Sequence, residues 1–520
     1  MTPKQEQPGK DRPAKEKPTR EESKKEEPKK AYEPPKGAVT DHVQTIGGRK
    51  IEYQARADWL VLHKKDEPVA EMFHIAYLKK RAEVAARPLT FVFNGGPGAA
   101  SAYLHMGAVG PYRVRFEADG RVPKPPVTLA TNQESWLPFT DLVFIDPIGT
   151  GFSRMVKKSG PEGKPAEAGK EPAEKVDEKE FFKLNRDLES LGEFISRFLS
   201  KHRRWESPVF VAGESYGGFR TACLAKRLQE TFGVGLNGAI IISPALEFVP
   251  LNPSDYDLQA WTDLFPTMAV AAMTHGRSAR FKKGTPLATV TRAAEEFAHG
   301  RLFHLLAQGD HLPAKEREAI LREMSAFIGI PVDYLRDSEG RIAHWTFAKK
   351  LLKDERKVCG LYDASITAID PFPNREWEFG PDPTLSGLDR VFAGGINTQL
   401  RKTLQLDTER DYHLLSHEVN RNWADDRQMH FFMRQIGATD ELRYGMALNP
   451  HMKVFITHGY FDLVTPYHAS ARLVKQMRLL PEQRRNLTVK HYAGGHMFYS
   501  WEASRREFRD DMEKFFRSAV

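Results

Sequence analysis

The stretch Val209-Phe210-Val211-Ala212-Gly213-Glu214-Ser215-Tyr216-Gly217 places a G-x-S-x-G motif directly after four apolar residues. The apolar residues predict a buried strand, and the segment after the motif has the pattern of a helix. A serine on a tight turn between strand and helix projects its hydroxyl out of the sheet, where a base can reach it. Glycines suit such a turn because it leaves no room for side chains. The stretch therefore predicts an α/β-hydrolase fold with Ser215 as nucleophile.

Other apolar runs have the length and composition of buried strands. They lie at residues 90–93, 142–145, 239–242, 454–456 and 487–489. Apolar residues recur at helical spacing over 181–201, which predicts an amphipathic helix. Continuous apolar strands that alternate with helices predict a mostly parallel central sheet with helices on both faces.

The strand pattern is interrupted over residues 251–390, which are richer in helix-forming and charged residues. We interpret this segment as a mainly helical cap insertion between two parts of the hydrolase core, residues 39–250 and 391–520. Residues 1–38 are mainly Lys, Glu and Pro, a composition that cannot offset the entropy of ordering. We therefore expect a disordered charged tail there, and a surface loop at the similar stretch 157–179.

Two polar residues follow predicted strands in the second half of the chain. Asp462 comes after the strand at 454–456, and His496 comes after the strand at 487–489. The chain order Ser215, Asp462, His496 is the order that α/β-hydrolases use. A histidine can take the serine proton near neutral pH, while a carboxylate fixes its tautomer and stabilises the imidazolium. The sequence thus predicts a catalytic triad of these three residues.

A glycine-rich segment, Asn94-Gly95-Gly96-Pro97-Gly98, directly follows the predicted strand at 90–93. Glycines let the backbone approach a substrate closely, and bare N–H groups there can bind an oxyanion. We assign the oxyanion hole to the N–H groups of Gly96 and Tyr216.

The composition argues against several classes of protein. A formal net charge of +8 over 520 residues is spread in mixed-sign clusters, so we expect no nucleic-acid partner. The sequence contains no run of about 18 apolar residues, so we expect no membrane span. It contains neither a metal-ligand spacing nor a glycine-rich phosphate loop, so we expect no metal and no cofactor.

The charged N-terminus lacks the apolar core of a signal peptide. The two cysteines, Cys223 and Cys359, could pair but have no C-x-x-C spacing and form no disulfide framework. We therefore expect a cytoplasmic protein, and secretion stays open if the start site is misassigned. The sequence indicates no oligomeric state.

Several blocks resemble the signature motifs of the serine carboxypeptidases, peptidase family S10 of the α/β-hydrolase superfamily. They are Asn94-Gly95-Gly96-Pro97-Gly98, Asp146-Pro147-Ile148-Gly149-Thr150-Gly151-Phe152-Ser153, Gly213-Glu214-Ser215-Tyr216-Gly217-Gly218 and Gly494-Gly495-His496-Met497. Asp462 stands in the family's aspartate block, and the resemblance spans roughly residues 85 to 510 in the family's order. The glutamate before the nucleophile separates this family from esterases and lipases.

The resemblance implies that the chain removes one residue from the free C-terminus of a peptide. It also implies that Asn94, Gly95 and Glu214 bind the terminal carboxylate of the substrate. Such binding requires a protonated Glu214, because two ionised carboxylates would repel each other. The resemblance therefore links peptide binding to acid pH.

The chain departs from the family pattern at several positions. Ala108 stands where a second glutamate usually helps to bind the carboxylate. Val92 replaces a tryptophan, Ala99 replaces a cysteine, and Phe498-Tyr499 replaces the usual Val-Pro after the histidine block. The predicted triad is complete, but the specificity for a free C-terminus is left open.

Three hypotheses follow from these observations. The leading one is a serine carboxypeptidase-like peptidase that works through an acyl-enzyme. The second is an esterase, an acyltransferase or another serine hydrolase on the same scaffold, which Ala108 keeps open. The third is a non-catalytic binding protein that retains the fold, and the complete triad argues against it.

Overall fold

The structure is a computed structural model that describes residues 32–156, 179–376, 380, 382–427 and 435–520. Residues 1–31 of the predicted tail lie outside this part of the chain, as does the predicted surface loop except for residue 179. The predicted boundaries of tail, core and cap remain predictions. All elements below belong to one unit, residues 34–520.

The strands define the centre of the molecule. They are β1 (Ala38–Ile46), β2 (Arg49–Lys64), β3 (Glu67–Lys79), β4 (Leu89–Phe93), β5 (Tyr112–Val114), β6 (Leu129–Thr131), β7 (Asp141–Ile145), β8 (Arg154–Met155), β9 (Val209–Glu214), β10 (Gly238–Ile242), β11 (Lys357–Cys359), β12 (Thr367–Ile369), β13 (Lys453–Gly459) and β14 (Leu487–Tyr492).

The central sheet of the described residues has ten strands in the order β1-β2-β3-β7-β4-β9-β10-β13-β14, with β8 paired to β3. The six strands from β7 to β14 along this order are parallel to one another. The strands β1, β2 and β3 form an antiparallel extension, and β3 joins β7 antiparallel. The carboxyl ends of the parallel strands meet at one edge, where folds of this type place their sites.

Helices cover the sheet and fill the insertion. They are α1 (Ala102–Leu104), α2 (Leu184–Lys201), α3 (Tyr216–Phe232), α4 (Leu258–Thr274), α5 (Leu287–Phe297), α6 (Phe303–Gln308), α7 (Ala314–Ile328), α8 (Val332–Asp337), α9 (His344–Lys350), α10 (Leu385–Thr398), α11 (His417–Arg421), α12 (Thr439–Leu448), α13 (Tyr467–Gln476), α14 (Pro481–Arg484) and α15 (Glu502–Ala519).

Both faces of the sheet are buried by helices. One face packs against α1, α10 and α15, which contribute Leu104, Phe392 and Phe508 to its core. The opposite face packs against α2, α3 and α12, which contribute residues such as Leu191 and Leu224. The predicted α/β-hydrolase fold, with a mostly parallel sheet covered on both faces, is confirmed.

The helices α4 to α9 come between β10 and β13 in the chain and share a hydrophobic core of their own. Phe265, Phe297 and Phe327 pack together in this core, in tilted and edge-to-face arrangements, with ring centroids 5.0 to 5.4 Å apart. This insertion is mainly helical, with the small hairpin β11–β12 after it.

Two local differences separate the predicted elements from the observed ones. The predicted helix over 181–201 begins at Leu184, because Lys183 is extended and the residues before it form a turn. The antiparallel strands β1, β2 and β3 were not predicted. In β1 and β2 the signal is an alternation of more and less buried residues, clearest over 51–59, whereas β3 is buried throughout 70–77 but carries the polar residues Glu71 and His74 there.

Candidate active site

Ser215 lies on the turn between β9 and α3, at the carboxyl edge of the parallel strands. Its backbone has φ 62° and ψ −124°, a combination that residues other than glycine rarely adopt. Its N–H donates to the carbonyl of Ile242 at 2.9 Å, which fixes the turn to β10. A Cβ on Gly213 would lie 2.0 Å from the oxygen of Gly217, so the turn closes only with glycine there. The motif therefore holds a strained turn that presents a half-buried serine.

Asp462 and His496 follow β13 and β14 at the same edge of the sheet. His496 Nδ1 lies 2.6 Å from Asp462 Oδ2, and both residues are buried. A carboxylate oxygen can only accept, so Nδ1 carries the proton and Nε2 is the basic nitrogen of the ring.

Neighbouring groups fix the pair in place. Asp462 Oδ1 accepts the N–H groups of Val464 and Thr465 at 2.9 and 3.0 Å. The Thr465 hydroxyl lies 2.7 Å from Asp462 Oδ2 and 3.1 Å from His496 Nδ1. Ser243 Oγ donates to the carbonyl of His496 at 2.7 Å. These contacts leave the imidazole little rotational freedom.

The pKa of His496 is set by competing effects. Burial disfavours its charged form, but the charge of Asp462, their hydrogen bond and the charge of Glu214 outweigh burial. Together they raise the pKa of His496 above its ordinary value of 6.5. The ring is therefore a stronger base than an isolated histidine.

Within the part of the chain that the structure describes, the His496 ring bonds to Asp462 and Thr465 and makes no hydrogen bond to Ser215. In unliganded enzymes such bonds are often long and tighten when substrate binds. The structure brings the three predicted triad residues to the carboxyl ends of β9, β13 and β14.

The segment Asn94–Gly98 leaves β4 and packs against the first turn of α3. A Cβ on Gly95 would lie 2.4 Å from the nitrogen of Tyr216, so the loop meets the helix N-terminus backbone to backbone. Gly96 is exposed with φ 97°. Helix N-termini offer N–H groups without intrahelical partners. The two N–H groups assigned to an oxyanion hole, those of Gly96 and Tyr216, thus lie on adjoining segments.

Glu214 is buried beside the nucleophile, with 1% of its surface exposed. Its Oε2 accepts from Asn94 Nδ2 and, at 3.0 Å, from the hydroxyl of Tyr499. Asn94 Oδ1 accepts the N–H of Leu104 at 3.0 Å, which turns the amide nitrogen toward Glu214. Glu214 Oε1 has no hydrogen-bond partner among the described residues.

Burial raises the pKa of Glu214 to about 7, and the nearby charge of Asp462 acts in the same direction. The positive charge of His496 and the hydrogen bonds from Tyr499 and Asn94 partly oppose this rise. Below about pH 7 the side chain is therefore mainly a neutral acid.

Arg220 and Asp187 form a buried ion pair beneath the site, and the sequence analysis did not identify them. Arg220 Nε and Nη2 donate to the Asp187 carboxylate at 2.7 and 2.9 Å. Arg220 Nη1 donates to the carbonyl of Asn94 at 2.8 Å, and the guanidinium lies 4.9 Å from the centroid of the Tyr216 ring. Each charged residue lies on the buried face of its helix, and this position among apolar residues could have indicated a buried ion pair.

The remaining groups bear on metal, redox and membrane roles. The described residues contain no cluster of three or more His, Cys, Asp or Glu that could hold a metal ion. Cys223 and Cys359 are buried free thiols. His458 bonds through both ring nitrogens, to the Thr465 carbonyl and the Ser470 hydroxyl. Within the described ranges, no helix combines the length and apolar character needed to cross a bilayer.

The sheet order and the nucleophile turn define the chain as an α/β-hydrolase. Within this class, residues 50–262 match the family described as serine carboxypeptidase. The resemblance to that family, which the sequence motifs indicated, is confirmed.

Curated relatives are similar at modest identity. Serine carboxypeptidase-like 13 of Arabidopsis thaliana is 26% identical over 187 residues, 34% of this chain and 37% of that protein. Pheromone-processing carboxypeptidase KEX1 of Tuber melanosporum is 23% identical over 345 residues, 61% of this chain and 44% of that protein. The chain therefore spans less than half the length of these relatives.

Solved structures are similar over most of the chain. Proline iminopeptidase of Mycobacterium smegmatis has 13% identity and a TM-score of 0.35, covering 89% of this chain and 98% of that one. Monoglyceride lipase of Saccharomyces cerevisiae has 12% identity and a TM-score of 0.34, covering 89% of this chain and 95% of that one. Because these TM-scores are low, the fold class is assigned from the order and direction of the strands in the central sheet and not from these structures.

Proposed function

We propose that the protein is a serine carboxypeptidase-like peptidase that removes the C-terminal residue of peptides through an acyl-enzyme. One observation carries this proposal: Glu214 is a buried acid beside Ser215, with one oxygen that has no partner among the described residues. A neutral acid at this place can donate to a terminal carboxylate, which an ester or amide substrate lacks. The match to the serine carboxypeptidase family supports the same conclusion.

In the proposed mechanism, Ser215 Oγ attacks the scissile carbonyl carbon while His496 Nε2 takes the hydroxyl proton. The carbonyl oxygen becomes an oxyanion, and the N–H groups of Gly96 and Tyr216 stabilise it. Asp462 keeps the proton on Nδ1 and stabilises the imidazolium that forms.

Collapse of the tetrahedral intermediate breaks the C–N bond, and His496 gives its proton to the leaving amine. The C-terminal amino acid departs, and the rest of the peptide stays esterified to Ser215 Oγ. Water then attacks the ester and passes a proton to His496, which returns it to Ser215 as the shortened peptide leaves. Protons balance over the cycle, and one water is consumed.

We assign recognition of the terminal carboxylate to Asn94, Gly95 and Glu214. Gly95 lies against the first turn of α3, beside the proposed oxyanion hole, which supports a place for the carboxylate near the scissile carbonyl. Glu214 binds it through its own proton. An ionised Glu214 would repel the ligand.

Glu214 and His496 are electrostatically coupled, because the charge of each shifts the pKa of the other. The productive form has a protonated Glu214 and a neutral His496. A second form, with the proton moved from Glu214 to His496, holds the same number of protons and is unproductive. A bound terminal carboxylate selects the productive form, so substrate binding and base activation are coupled.

The test compares kcat/KM against pH for an N-blocked dipeptide and for its C-terminal amide. The amide rate should rise as His496 loses its proton. The free acid should be preferred at low pH, and its advantage should shrink as Glu214 ionises at about pH 7. Equal rates for acid and amide at every pH would exclude the carboxypeptidase proposal.

The alternatives predict different results in the same assay. An esterase, an acyltransferase or another serine hydrolase would turn over the amide or an ester without an advantage for the free acid. A non-catalytic binding protein would not be labelled by a fluorophosphonate at Ser215, whereas every serine hydrolase would be. Ala108 cannot act as a second acid beside Glu214. It therefore favours an esterase, an acyltransferase or another serine hydrolase only if no other residue holds Glu214 in place.

We keep a cytoplasmic location as part of this proposal. The two free thiols are compatible with a reducing compartment. Cell fractionation tests the location, and recovery of the protein in a secreted fraction would exclude it.

A further inference from the structure

Tyr499 lies in the short turn Phe498–Ser500, three residues after His496. Its side chain is fully buried, and its hydroxyl donates to Glu214 Oε2 at 3.0 Å. Arg505 Nη1 donates to the Tyr499 carbonyl at 3.0 Å, which fixes the backbone of the turn. A tyrosine therefore stands in direct contact with the acid that we propose as the carboxylate-binding group.

The ring of Tyr499 lies against the segment that carries Ala108. This segment, His105–Val109, is a single π-helical turn, and Gly107 precedes Ala108 in it. A Cβ on Gly107 would lie 2.6 Å from Tyr499 Cε2, so the ring rests on the bare backbone of Gly107. The absence of a side chain at 107 and the large ring at 499 are thus complementary.

The donors around Glu214 determine where its proton resides. Tyr499 and Asn94 both donate to Oε2, and no described residue bonds to Oε1. A carboxylic acid places its proton on the oxygen that is not already accepting hydrogen bonds. The neutral acid therefore carries its proton on Oε1, the oxygen that has no partner among the described residues.

We propose that Tyr499 is the positioning residue that replaces the missing acidic partner at Ala108 and holds Glu214 in the orientation that recognises a free C-terminal carboxylate. This inference rests on the proposed carboxypeptidase function and names a residue on which its specificity depends. Tyr499 acts through Glu214 and does not itself react.

A tyrosine partner differs from a second carboxyl group in its proton chemistry. Two carboxyl groups share one proton and titrate together. Burial, and then the adjacent Glu214, raise the pKa of Tyr499 well above its ordinary value, so the phenol keeps its proton. The titratable groups that face Glu214 are Tyr499, His496, Asp462 and Tyr103. Burial raises the pKa of Tyr103 as well as that of Tyr499 well above the ordinary value, so neither phenol changes charge near neutral pH.

The test is Tyr499→Phe, which keeps the ring against Gly107 and removes only the hydroxyl. The matched control is Tyr492→Phe, because Tyr492 is also buried and donates to a carboxylate, that of Asp511, at 2.7 Å. KM for the N-blocked dipeptide should rise about 5- to 10-fold in Tyr499→Phe, with kcat within about twofold of wild type. The C-terminal amide and the Tyr492→Phe control should both keep their wild-type values.

The pH dependence of the preference for the free acid should also shift in Tyr499→Phe. The hydrogen bond from Tyr499 lowers the pKa of Glu214, so its loss should shift the decline of the acid preference to higher pH. A role in packing alone would not move this profile. An unchanged KM and profile in Tyr499→Phe, with wild type still preferring the acid, would overturn the inference and leave the carboxypeptidase function standing.

A spectroscopic measurement tests the contact in folded variants without depending on activity. Difference infrared spectra of Ser215→Ala and Ser215→Ala/Tyr499→Phe, taken across the titration of Glu214, report its C=O stretching band. Glu214→Gln identifies the band by removing it. The band should move to higher wavenumber when the Tyr499 hydroxyl is removed, because Oε2 loses a donor. A band that does not move would overturn the inference, and a wild-type enzyme with no acid preference would instead remove the proposed function.

Discussion

The candidate site has two parts that are held in different ways. The triad cluster (Ser215, Asp462 and His496) consists of residues that each follow a parallel strand. In the carboxylate cluster (Asn94, Glu214 and Tyr499), Asn94 and Glu214 also stand at strand ends, but the third member, Tyr499, meets Glu214 across 285 residues of chain. Strand ends are positioned by the sheet itself, whereas a hydroxyl meets a carboxyl group only through packing. A family motif therefore predicts the positions of the triad cluster more reliably than those of the carboxylate cluster.

The largest effect is expected from Ser215→Ala, which removes the nucleophile. Both the free-acid and the amide substrate should lose about 10⁴-fold or more of their kcat/KM, because the triad acts as a unit. Binding of an N-blocked dipeptide to the variant, measured by calorimetry, should persist below about pH 7, where Glu214 is neutral. Activity within about tenfold of wild type would contradict the assignment of the nucleophile.

The sequence predicted the fold and the triad cluster for the same reason. Val209–Ala212 and the other apolar runs identified the parallel strands, and the catalytic candidates lie immediately beyond them. The antiparallel strands β1 and β2 were missed because they alternate, and β3 was missed because Glu71 and His74 interrupt its apolar residues.

The support of the carboxylate cluster could not be predicted in this way. Tyr499 stood out in the sequence only as a departure from a family pattern, because its contact with Glu214 depends on the space left at Gly107. Arg220 and Asp187 lie on two different helices, and only their three-dimensional packing shows that they also hold Asn94.

The second prediction tests whether the buried ion pair of Arg220 and Asp187 supports both clusters. Arg220→Met should lower the free energy of unfolding by about 3–5 kcal/mol, because it leaves the buried charge of Asp187 without its partner. Chemical denaturation measures this change. Since Arg220 contacts both Asn94 and the Tyr216 ring, turnover of acid and amide substrates should fall together.

Two control variants sharpen this experiment. Arg506→Met removes an exposed arginine that pairs with Glu502 on α15, and it should change stability by less than about 1 kcal/mol. Arg220→Met combined with Asp187→Leu should recover part of the lost stability, since no unpaired charge remains. A single Arg220→Met variant as stable as wild type would exclude a supporting role for the ion pair.

The smallest effect, and the most specific to the carboxylate cluster, is expected from Glu214→Gln. Glutamine has nearly the shape of the protonated acid and cannot ionise, so it can donate to a terminal carboxylate at any pH. In wild type, Glu214 loses its proton as the pH rises through about 7, and the preference for a free acid should fall there. In the variant, the preference should be nearly constant between about pH 5 and pH 8, within about threefold. A preference that still falls with pH in the variant would assign the titration to another group.

The free energy of unfolding should also depend on the titration of Glu214, and the direction of its pKa shift gives the sign of that dependence. The pKa of Glu214 is raised in the folded protein from 4.5 to about 7, so the folded state binds the proton more tightly. Its contribution to stability is therefore fully present below pH 4.5 and is lost as the pH rises through about 7. The difference in melting temperature between Glu214→Gln and wild type therefore reports the titration of Glu214 together with the part of the His496 titration that depends on the Glu214 charge. That difference should grow in favour of the variant from about pH 5 to pH 8, and a constant difference would mean that Glu214 is not the buried acid that controls recognition of the carboxylate.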